Sequence, residues 1–224
     1  MAADGLFPLP APPRRQLAPG AVHVPGWLDP PRQRQLAAAC RDWALGPVPA
    51  RAAVLPGGAR MSVRTVCLGW HWQPYRYSRT ADDAGGGRVA ELPDWLADLG
   101  RAALADAWQD HAAARDYRPD TALINFYQGS ARMGMHQDKD ERSDQPVVSF
   151  SIGDSCLFRF GNPDTRNRPY TDVELGSGDV FVFGGPSRFC YHGVPKTFPG
   201  TAPDDSGHQA GRINITLRRT GLAD

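Results

Sequence analysis

The spacing of apolar residues predicts two helices in the first half of the chain. The first helix follows Asp29-Pro30-Pro31, a sequence typical of a helix start, and runs to about Leu45 with one apolar face, made by Leu36, Ala39, Cys40 and Trp43. The second is predicted from Pro93 to about Arg115, because apolar residues recur there at helical spacing: Leu92, Leu96, Leu99, Ala103 and Ala107.

From Thr121 onward the apolar pattern changes to a period of two, which is typical of half-buried β-strands. Gly, Pro, Asn and Asp residues separate the segments. The predicted strands cover residues 121–127, 147–152, 156–160, 172–175, 179–183 and 212–219. Two helices beside at least six strands, without β-α-β alternation, favour an α+β domain whose antiparallel strands form a jelly roll with flanking N-terminal helices.

Length and composition suit one globular domain. The chain has 224 residues, of which 41% are hydrophobic, so it can bury a core, and a fully disordered chain is excluded. The 24 glycines and 21 prolines favour many turns between short strands. No apolar run approaches about 18 residues, so no membrane span is expected. The formal net charge is +1, so a polyanion would have to meet a local basic patch.

Residues 1–20 are predicted to form a flexible leader, because they contain five prolines and no continuous apolar stretch like that of a secretory signal. The remaining residues, 21–220, are expected to form a single domain. The cysteines are widely spaced without a C-x-x-C motif, which argues against a zinc ribbon or a redox dithiol. Without an export signal, reduced thiols and a cytoplasmic location are expected.

A candidate metal site begins with His136-Gln137-Asp138. On an extended segment, side chains two residues apart project from the same face, so the imidazole and the carboxylate can converge on one ion. His192, before Gly193, would complete the facial triad of two histidines and one carboxylate that leaves positions open on Fe(II) for dioxygen chemistry. Each element has an ordinary alternative, namely a solvated turn in an acidic loop and a hydrogen-bonded core histidine.

The segment Arg212-Ile213-Asn214-Ile215-Thr216-Leu217-Arg218 alternates strictly between polar and aliphatic residues. As a strand it places two guanidiniums, an amide and a hydroxyl on one face. Asn125 and Tyr127 lie on a second polar-bearing face, in a strand expected to be central. If both faces turn inward, they make an arginine-lined cavity that fits a dicarboxylate, since arginine binds carboxylates through paired hydrogen bonds. The alternative is a half-exposed strand with its arginines in water.

Residues 51–80 contain five arginines and no acid, interleaved with aromatic side chains. Guanidiniums suit phosphates and aromatic rings suit unstacked bases, so this pattern favours contact with nucleic acid. The alternative is a strand pair whose tryptophan and tyrosine rings belong to the core. The residues concerned are Arg51, Arg60, Arg64, Arg76 and Arg79, with Trp70, His71, Trp72, Tyr75 and Tyr77.

Together these motifs resemble the AlkB family of Fe(II)- and 2-oxoglutarate-dependent dioxygenases, which reverse alkylation damage in nucleic acids. The resemblance extends from about Ala21 to Arg219. It implies a double-stranded β-helix with a jelly-roll catalytic core over residues 121–219 and a nucleotide-recognition lid within residues 51–90. The motifs that occur in the family's order are Asn125-x-Tyr127, His136-x-Asp138-x-Asp140, His192 and Arg212-x-Asn214-x-Thr216-x-Arg218.

The resemblance also implies roles for individual residues. The Fe(II) ligands would be His136, Asp138 and His192. Those that would hold 2-oxoglutarate are Asn125, Phe126, Tyr127, Arg212, Asn214 and Arg218. Those that would contact substrate are Trp70, Tyr75, Arg76, Tyr77, Asp140 and Arg166, with Arg168 close enough in sequence to replace Arg166. Asp140 would accept a hydrogen bond from the amino group of adenine or cytosine, unless it pairs with Arg218 instead.

The implied activity is oxidative demethylation of bases such as 1-methyladenine and 3-methylcytosine in single-stranded DNA, with RNA as a further candidate, by a monomeric enzyme. The implied cofactors are Fe(II), 2-oxoglutarate and O2, and the products are formaldehyde, succinate and CO2. Two other functions stay open. An oxygenase acting on a protein side chain or a small molecule would share the iron site, and a non-catalytic jelly-roll binding module, such as a sugar-binding domain, would need no metal.

Overall fold

The computed structural model describes residues 13–222 of the chain. Within them lie three α-helices, α1 (Pro30–Ala44), α2 (Asp94–Trp108) and α3 (His111–Asp116). The strands of the same residues are β1 (Arg15–Ala18), β2 (Ala21–Val24), β3 (Arg51–Val54), β4 (Arg60–Leu68), β5 (His71–Gln73), β6 (Arg76–Ser78), β7 (Thr80–Ala81), β8 (Gly87–Arg88), β9 (Thr121–Tyr127), β10 (Met133–His136), β11 (Val147–Gly153), β12 (Ser155–Phe160), β13 (Thr171–Leu175), β14 (Val180–Phe183), β15 (His192–Phe198) and β16 (Arg212–Arg218).

Two sheets stack on each other and form the jelly roll that the alternating pattern predicts. The larger sheet has eight strands in the order β1-β2-β14-β11-β16-β9-β4-β3, and the smaller has four in the order β10-β15-β12-β13. Phe158 and Phe160 of the smaller sheet pack against Phe181 and Phe183 of the larger one. The double-stranded β-helix expected from the sequence is therefore confirmed.

The outer face of the larger sheet is covered by helices. Ile213, Ile215 and Leu217 of β16 are fully buried there, in one apolar cluster with Leu36 of α1 and Leu104 of α2. Because side chains alternate along a strand, the polar residues of β16 point the other way, into the space between the two sheets. The strict alternation of this segment thus places its aliphatic residues against the helices and its polar residues in the space between the sheets.

The helix predictions are confirmed for α1 and corrected for the second helix. Asp29 caps α1 by accepting a backbone hydrogen bond from its first turn. The single helix predicted over residues 93–115 is two helices, because Gln109 is left-handed with a φ of 55°. Asp110 then starts α3 by accepting two backbone hydrogen bonds, and this cap interrupts the helix although the apolar spacing continues. Within residues 13–222, none of the helices is long and apolar enough to cross a bilayer.

Two predicted boundaries also shift. Of the flexible leader predicted over residues 1–20, residues 1–12 lie outside the described residues, and the prediction is wrong for β1, which pairs with β2 at the edge of the larger sheet. In the predicted lid, β3 and β4 belong to the larger sheet, where β4 pairs along β9. Only the two small hairpins β5–β6 and β7–β8 stand outside the large sheets.

A glycine sets the start of β16 and with it the position of Arg212. Gly211 has a φ of +84°, and a Cβ on it would lie 2.3 Å from the carbonyl oxygen of Tyr127. Tyr127 of β9 is the register partner of Arg212 in β16. We expect Gly211→Ala to lower the free energy of unfolding through about 1–3 kcal/mol of backbone strain and a further loss from this steric contact. Gly57→Ala is the matched control, since Gly57 has a φ of +98° but nothing within 4 Å of its Cβ position. Equal losses for the two variants in urea denaturation would contradict the steric argument.

Candidate active site

The three predicted metal ligands come together between the sheets. His136 ends β10, and His192, the first residue of β15, is its partner in the antiparallel register. Asp138 follows two residues after His136, and one possible ligand atom from each of the three residues lies within 4.8 Å of the others. Asp138 Oδ1 lies 3.5 Å from Nε2 of His136, and its Oδ2 lies 3.6 Å from Nε2 of His192. The two strand ends therefore present both imidazoles to one buried carboxylate.

The surroundings favour the protonation states that bind a metal. Nδ1 of His136 lies 3.0 Å from the carbonyl oxygen of Gly134, and Nδ1 of His192 lies 3.0 Å from that of Cys190, so each Nδ1–H can donate and each Nε2 is left for a cation. Burial and the charge of His136 lower the pKa of His192. Burial alone would raise the pKa of Asp138, but the neighbouring Arg218 and histidines hold it well below its ordinary value.

The carboxylate of Asp138 is also suited to a cation. Among the residues that the structure describes, its Oδ2 has no hydrogen-bond partner, although the residue is only 4% exposed. A buried carboxylate oxygen without a partner is unfavourable, and a divalent cation between the two imidazoles and this oxygen would satisfy it. Two histidines and one carboxylate are the ligand set of non-haem Fe(II) oxygenases. The residues present therefore fit the metal that the sequence implied.

The guanidinium of Arg212 is a buried cation in the same cavity. The residue is 1% exposed, and its Nη2 donates to Ser151 Oγ at 2.9 Å, whereas within residues 13–222 its Nε and Nη1 have no partner. Its guanidinium lies 5.1 Å from the centre of the Tyr127 ring. Since a buried guanidinium requires a charged partner, this arrangement fits a carboxylate of 2-oxoglutarate.

The cavity beside Arg212 is lined by a polar network that the sequence predicted in part. Asn125 accepts from Thr65 Oγ1 at 2.8 Å and lies 3.4 Å from Asn214, whose Nδ2 donates to Ser149 Oγ at 2.6 Å. Asn125, Asn214 and Tyr127 line the same cavity as the three metal ligands, as expected. Ser149 and Ser151 were missed, although they alternate with Phe150 along β11 and so carried the same period-two signal.

Phe126 is a correction to the predicted 2-oxoglutarate residues. It lies between Asn125 and Tyr127 on β9, so its side chain projects to the opposite face of the sheet. There it packs against the apolar cluster beneath the helices, and it is absent from the lining of the cavity. A side-chain contact of Phe126 with 2-oxoglutarate is therefore not supported.

Arg218 lines the same cavity, as predicted, but its guanidinium has protein partners that the sequence did not indicate. Its Nη2 lies 2.7 Å from Asp138 Oδ1 and its Nη1 lies 3.0 Å from Glu141 Oε1. The guanidinium therefore forms ion pairs with two carboxylates of the protein. Glu141 is also 3.2 Å from Nη2 of Arg188. The sequence suggested Arg218 for 2-oxoglutarate or for Asp140, and the structure pairs it with Asp138 and Glu141 instead. Glu141 and Arg188 were missed because Glu141 lies in an acidic stretch that resembles a solvated loop.

The small hairpin β5–β6 contacts the segment that follows Asp138 through Trp72 and Tyr77. Tyr77 of β6 donates to Glu141 Oε1 at 2.6 Å, and Asp140 accepts from Nε1 of Trp72 at 2.8 Å. Tyr75, at the tip of the hairpin, is 73% exposed. Arg76 is exposed beside it and lies 3.4 Å from Asp82. The hairpin thus presents Tyr75 and Arg76 to solvent and anchors Tyr77 inward.

Trp70 does not offer an open stacking face. The residue is 7% exposed, and the guanidinium of Arg79 covers its ring at 3.9 Å from the centroid. The positive charge of residues 51–80 is also partly neutralised, because acidic residues just beyond this segment pair with some of its arginines. Asp83 contacts Arg51, and Glu91 lies 3.8 Å from Arg79. The predicted substrate contact of Trp70 is therefore not supported by its position.

Arg166 lies on the loop between β12 and β13. Gln137, between two of the metal ligands, donates from Nε2 to the carbonyl oxygens of Pro163 at 2.9 Å and of Phe189 at 2.7 Å. The contact with Pro163 joins the Arg166 loop to the metal-ligating segment. Arg166 lies 5.7 Å from the centre of the Tyr191 ring. Both Arg166 and Arg168 are exposed on this loop, so either can meet a phosphate.

Known proteins resemble the chain in sequence and in fold. A profile of the 2OG-Fe(II) oxygenase superfamily matches residues 20–218. The DNA N(6)-methyladenine demethylase ALKBH1D of Arabidopsis thaliana is 31% identical over 221 residues, which cover 90% of this chain and 50% of that protein, so the chain spans about half the length of this relative. The alpha-ketoglutarate-dependent dioxygenase AlkB of Escherichia coli is 39% identical over 180 residues, covering 77% of this chain and 78% of that enzyme. The solved structure of OsALKBH1 matches with a TM-score of 0.82 at 30% identity and covers 92% of this chain and 100% of that chain.

Proposed function

The chain belongs to the 2OG-Fe(II) oxygenase superfamily, and on that premise we propose that it removes methyl groups oxidatively from N-alkylated bases of nucleic acid. The substrates proposed are 1-methyladenine and 3-methylcytosine in single-stranded DNA, with RNA as a second carrier. A methylated base pairs poorly, so less energy is needed to flip it out of its strand than to flip a normal base.

The chain's own residues have separate tasks in this reaction. His136, Asp138 and His192 would hold Fe(II), and Arg212 would hold a carboxylate of 2-oxoglutarate. When bound, iron with 2-oxoglutarate and O2 supplies the oxidising power that hydroxylates an N-methyl group, leaving succinate, CO2 and a base that releases formaldehyde. The apolar rings of Phe158 and Phe183 line the same cavity and keep water from its inner wall.

The observation that carries the choice of substrate is the position of Asp140. Its carboxylate lies two residues beyond Asp138, and one of its oxygens is held by the indole N–H of Trp72. The other oxygen can accept from the exocyclic amino group of adenine or cytosine, a group that thymine lacks. The same hairpin exposes Tyr75 and Arg76, and an aromatic ring and a guanidinium suit an unstacked base and a phosphate.

The test is a substrate panel assayed for formaldehyde and succinate together. It contains oligonucleotides with 1-methyladenine, 3-methylcytosine, N6-methyladenine or 3-methylthymine, as single- and double-stranded DNA and as RNA, and a methylated peptide. We expect formaldehyde release to be greatest from the single-stranded 1-methyladenine and 3-methylcytosine substrates. Turnover of the peptide without turnover of any oligonucleotide would overturn the proposal, and an inactive protein without bound metal would favour a binding module.

Asp140→Ala is expected to reduce repair of 1-methyladenine and 3-methylcytosine by roughly 5- to 150-fold, since a base-edge contact of this kind is worth about 1–3 kcal/mol. Binding of metal and 2-oxoglutarate should stay unchanged, because Arg218 pairs with Asp138 and Glu141 and not with Asp140. Asp144→Ala is the control, as Asp144 is an exposed acid of the same loop. Parallel losses of repair and of 2-oxoglutarate affinity in Asp140→Ala would contradict this role.

A further inference from the structure

The hairpin β5–β6 contacts the metal-ligating segment through a pair of facing residues. Trp72 of β5 and Tyr77 of β6 are direct partners in the antiparallel register, so their side chains leave the hairpin on the same side. The indole N–H of Trp72 donates to Asp140 Oδ2 at 2.8 Å, and the hydroxyl of Tyr77 donates to Glu141 Oε1 at 2.6 Å. Two facing residues of the hairpin thus bind two consecutive carboxylates that follow Asp138.

These two carboxylates differ in what lies behind them. The side chain of Glu141 is fully buried, and it pairs with Arg218, whose second guanidinium nitrogen lies 2.7 Å from Asp138 Oδ1. A continuous series of short contacts therefore runs from Tyr77 through Glu141 and Arg218 to the metal ligand. Asp140 is half-buried and, among the described residues, has no ion pair that connects it to Asp138, so the indole N–H of Trp72 binds a carboxylate outside this series.

Arg188 contacts both ends of this part of the chain, the backbone of Asp138 and the carboxylate of Glu141. It is 1% exposed, its Nη1 donates to the carbonyl oxygen of Asp138 at 2.6 Å, and its Nη2 lies 3.2 Å from Glu141 Oε2. The Asp138 backbone and the Glu141 carboxylate are therefore fixed by one guanidinium. The other carboxylate oxygen of Glu141, Oε1, accepts hydrogen bonds from Arg218 and from the hydroxyl of Tyr77. This hydroxyl also lies 3.3 Å from Arg218 Nη1.

The hairpin depends on such contacts, because it is a separate two-stranded sheet with three residues in each strand. An isolated pair of strands is marginally stable in water. Hydrogen bonds from Trp72 and Tyr77 to ionised carboxylates are of the stronger kind. Burial, aided by the negative charge of Glu141, raises the pKa of Tyr77 well above its ordinary value, so its hydroxyl remains a donor.

We propose that Tyr77 and Glu141 are positioning residues that fix the metal ligand Asp138 through Arg218, and that Trp72 orients Asp140 toward the substrate. The hairpin β5–β6 is then part of the structure that supports the metal site, and the contact of Tyr77 with Glu141 helps to set the geometry of the ligand Asp138. The Trp72 half rests on the proposed function, whereas the Tyr77 half concerns only the metal site.

The experiment titrates Co(II), a coloured substitute for Fe(II) that does not turn over, into the full-length metal-free chain. We expect Tyr77→Phe to weaken Co(II) binding by about tenfold and to alter the visible absorption spectrum of the bound ion, because Asp138 loses a restraint made by one charge-assisted hydrogen bond. Trp72→Phe should leave the Co(II) affinity and spectrum as in the wild type. It should raise the KM for a single-stranded 1-methyladenine oligonucleotide by about tenfold with little change in kcat.

Two controls separate positioning from general damage. Ser78→Ala removes a hydrogen bond from the end of the same hairpin to the start of β7, from Ser78 Oγ to the Thr80 carbonyl oxygen at 2.6 Å, and should leave the Co(II) spectrum unchanged. In a Glu141→Gln background, Tyr77→Phe should cause much less additional loss of Co(II) affinity than it does alone, since both act through the same series of contacts. Thermal unfolding of each variant confirms that the protein is folded.

An unchanged Co(II) affinity and spectrum in folded Tyr77→Phe would overturn the positioning role, and so would fully additive losses in the double variant. An equal effect of Trp72→Phe on Co(II) binding would show that the hairpin acts as a whole and not through Glu141. If the Co(II) results hold but no methylated oligonucleotide is a substrate, the proposed function fails and the positioning role stands.

Discussion

Alanine at any one of His136, Asp138 or His192 is expected to abolish 2-oxoglutarate turnover while the chain stays folded. These are the residues whose ligand atoms lie within 4.8 Å of one another in the part of the chain that the structure describes. Loss of a hydrogen-bond partner behind a metal ligand already lowers metal affinity or activity by about 10- to 100-fold, so loss of a ligand should exceed about 100-fold. Succinate formation and bound iron, measured on the same preparation, check this.

The control for the triad is His111→Ala, since His111 is an exposed histidine at the start of α3. It should retain full turnover, which excludes a general effect of losing an imidazole. Asp138→Asn is a useful companion, because it keeps the size of the side chain and removes the charge that faces Arg218. Near-wild-type succinate formation by any one of the triad variants would remove that residue from the ligand set.

Much of this site could be predicted from sequence because a strand's period of two is a local property. The alternation along β16 specified which side chains face the cavity, and the structure places Arg212 and Asn214 there and Ile213 and Ile215 beneath the helices. Local sequence could not predict that His136 pairs with His192 across β10 and β15. It could predict that His136 and Asp138, two residues apart, lie on one face.

The remaining features depend on which segments meet, and local pattern does not contain that information. Glu141 lies in an acidic stretch, and its burial becomes favourable because Arg188, from the connection between β14 and β15, and Arg218 of β16 pair with it. The same limit applies to the arginines of residues 51–80, because Asp83 and Glu91, which contact two of them, lie beyond that stretch. A helix cap at Asp110 likewise overrode an apolar spacing that continued unbroken.

The two arginines of β16, which the sequence treats alike, are expected to respond differently to substitution. Arg212→Ala should raise the 2-oxoglutarate KM by roughly 10- to 150-fold, since a hydrogen bond to a charged group is worth about 1.5–3 kcal/mol, and should leave metal binding intact. The reason is that Arg212 Nε and Nη1 are buried without a partner and no residue described in the structure pairs with them. Arg212→Lys keeps the charge but not the two-pronged geometry, so it should restore only part of the affinity.

Arg218→Ala should instead weaken metal binding and lower the free energy of unfolding by about 3–5 kcal/mol, the loss typical of breaking a buried ion pair on one side. It removes the guanidinium that pairs with Asp138 and leaves Glu141 paired with Arg188 and hydrogen-bonded to Tyr77. Without Arg218, burial would raise the pKa of Asp138, so metal affinity should be lost at a higher pH than in the wild type as the solution is acidified. Co(II) titration, 2-oxoglutarate titration and urea denaturation on both variants distinguish the two arginines. If Arg218→Ala keeps its Co(II) affinity and stability and changes only the 2-oxoglutarate KM, then Arg218 binds the cosubstrate and its contact with Asp138 is incidental.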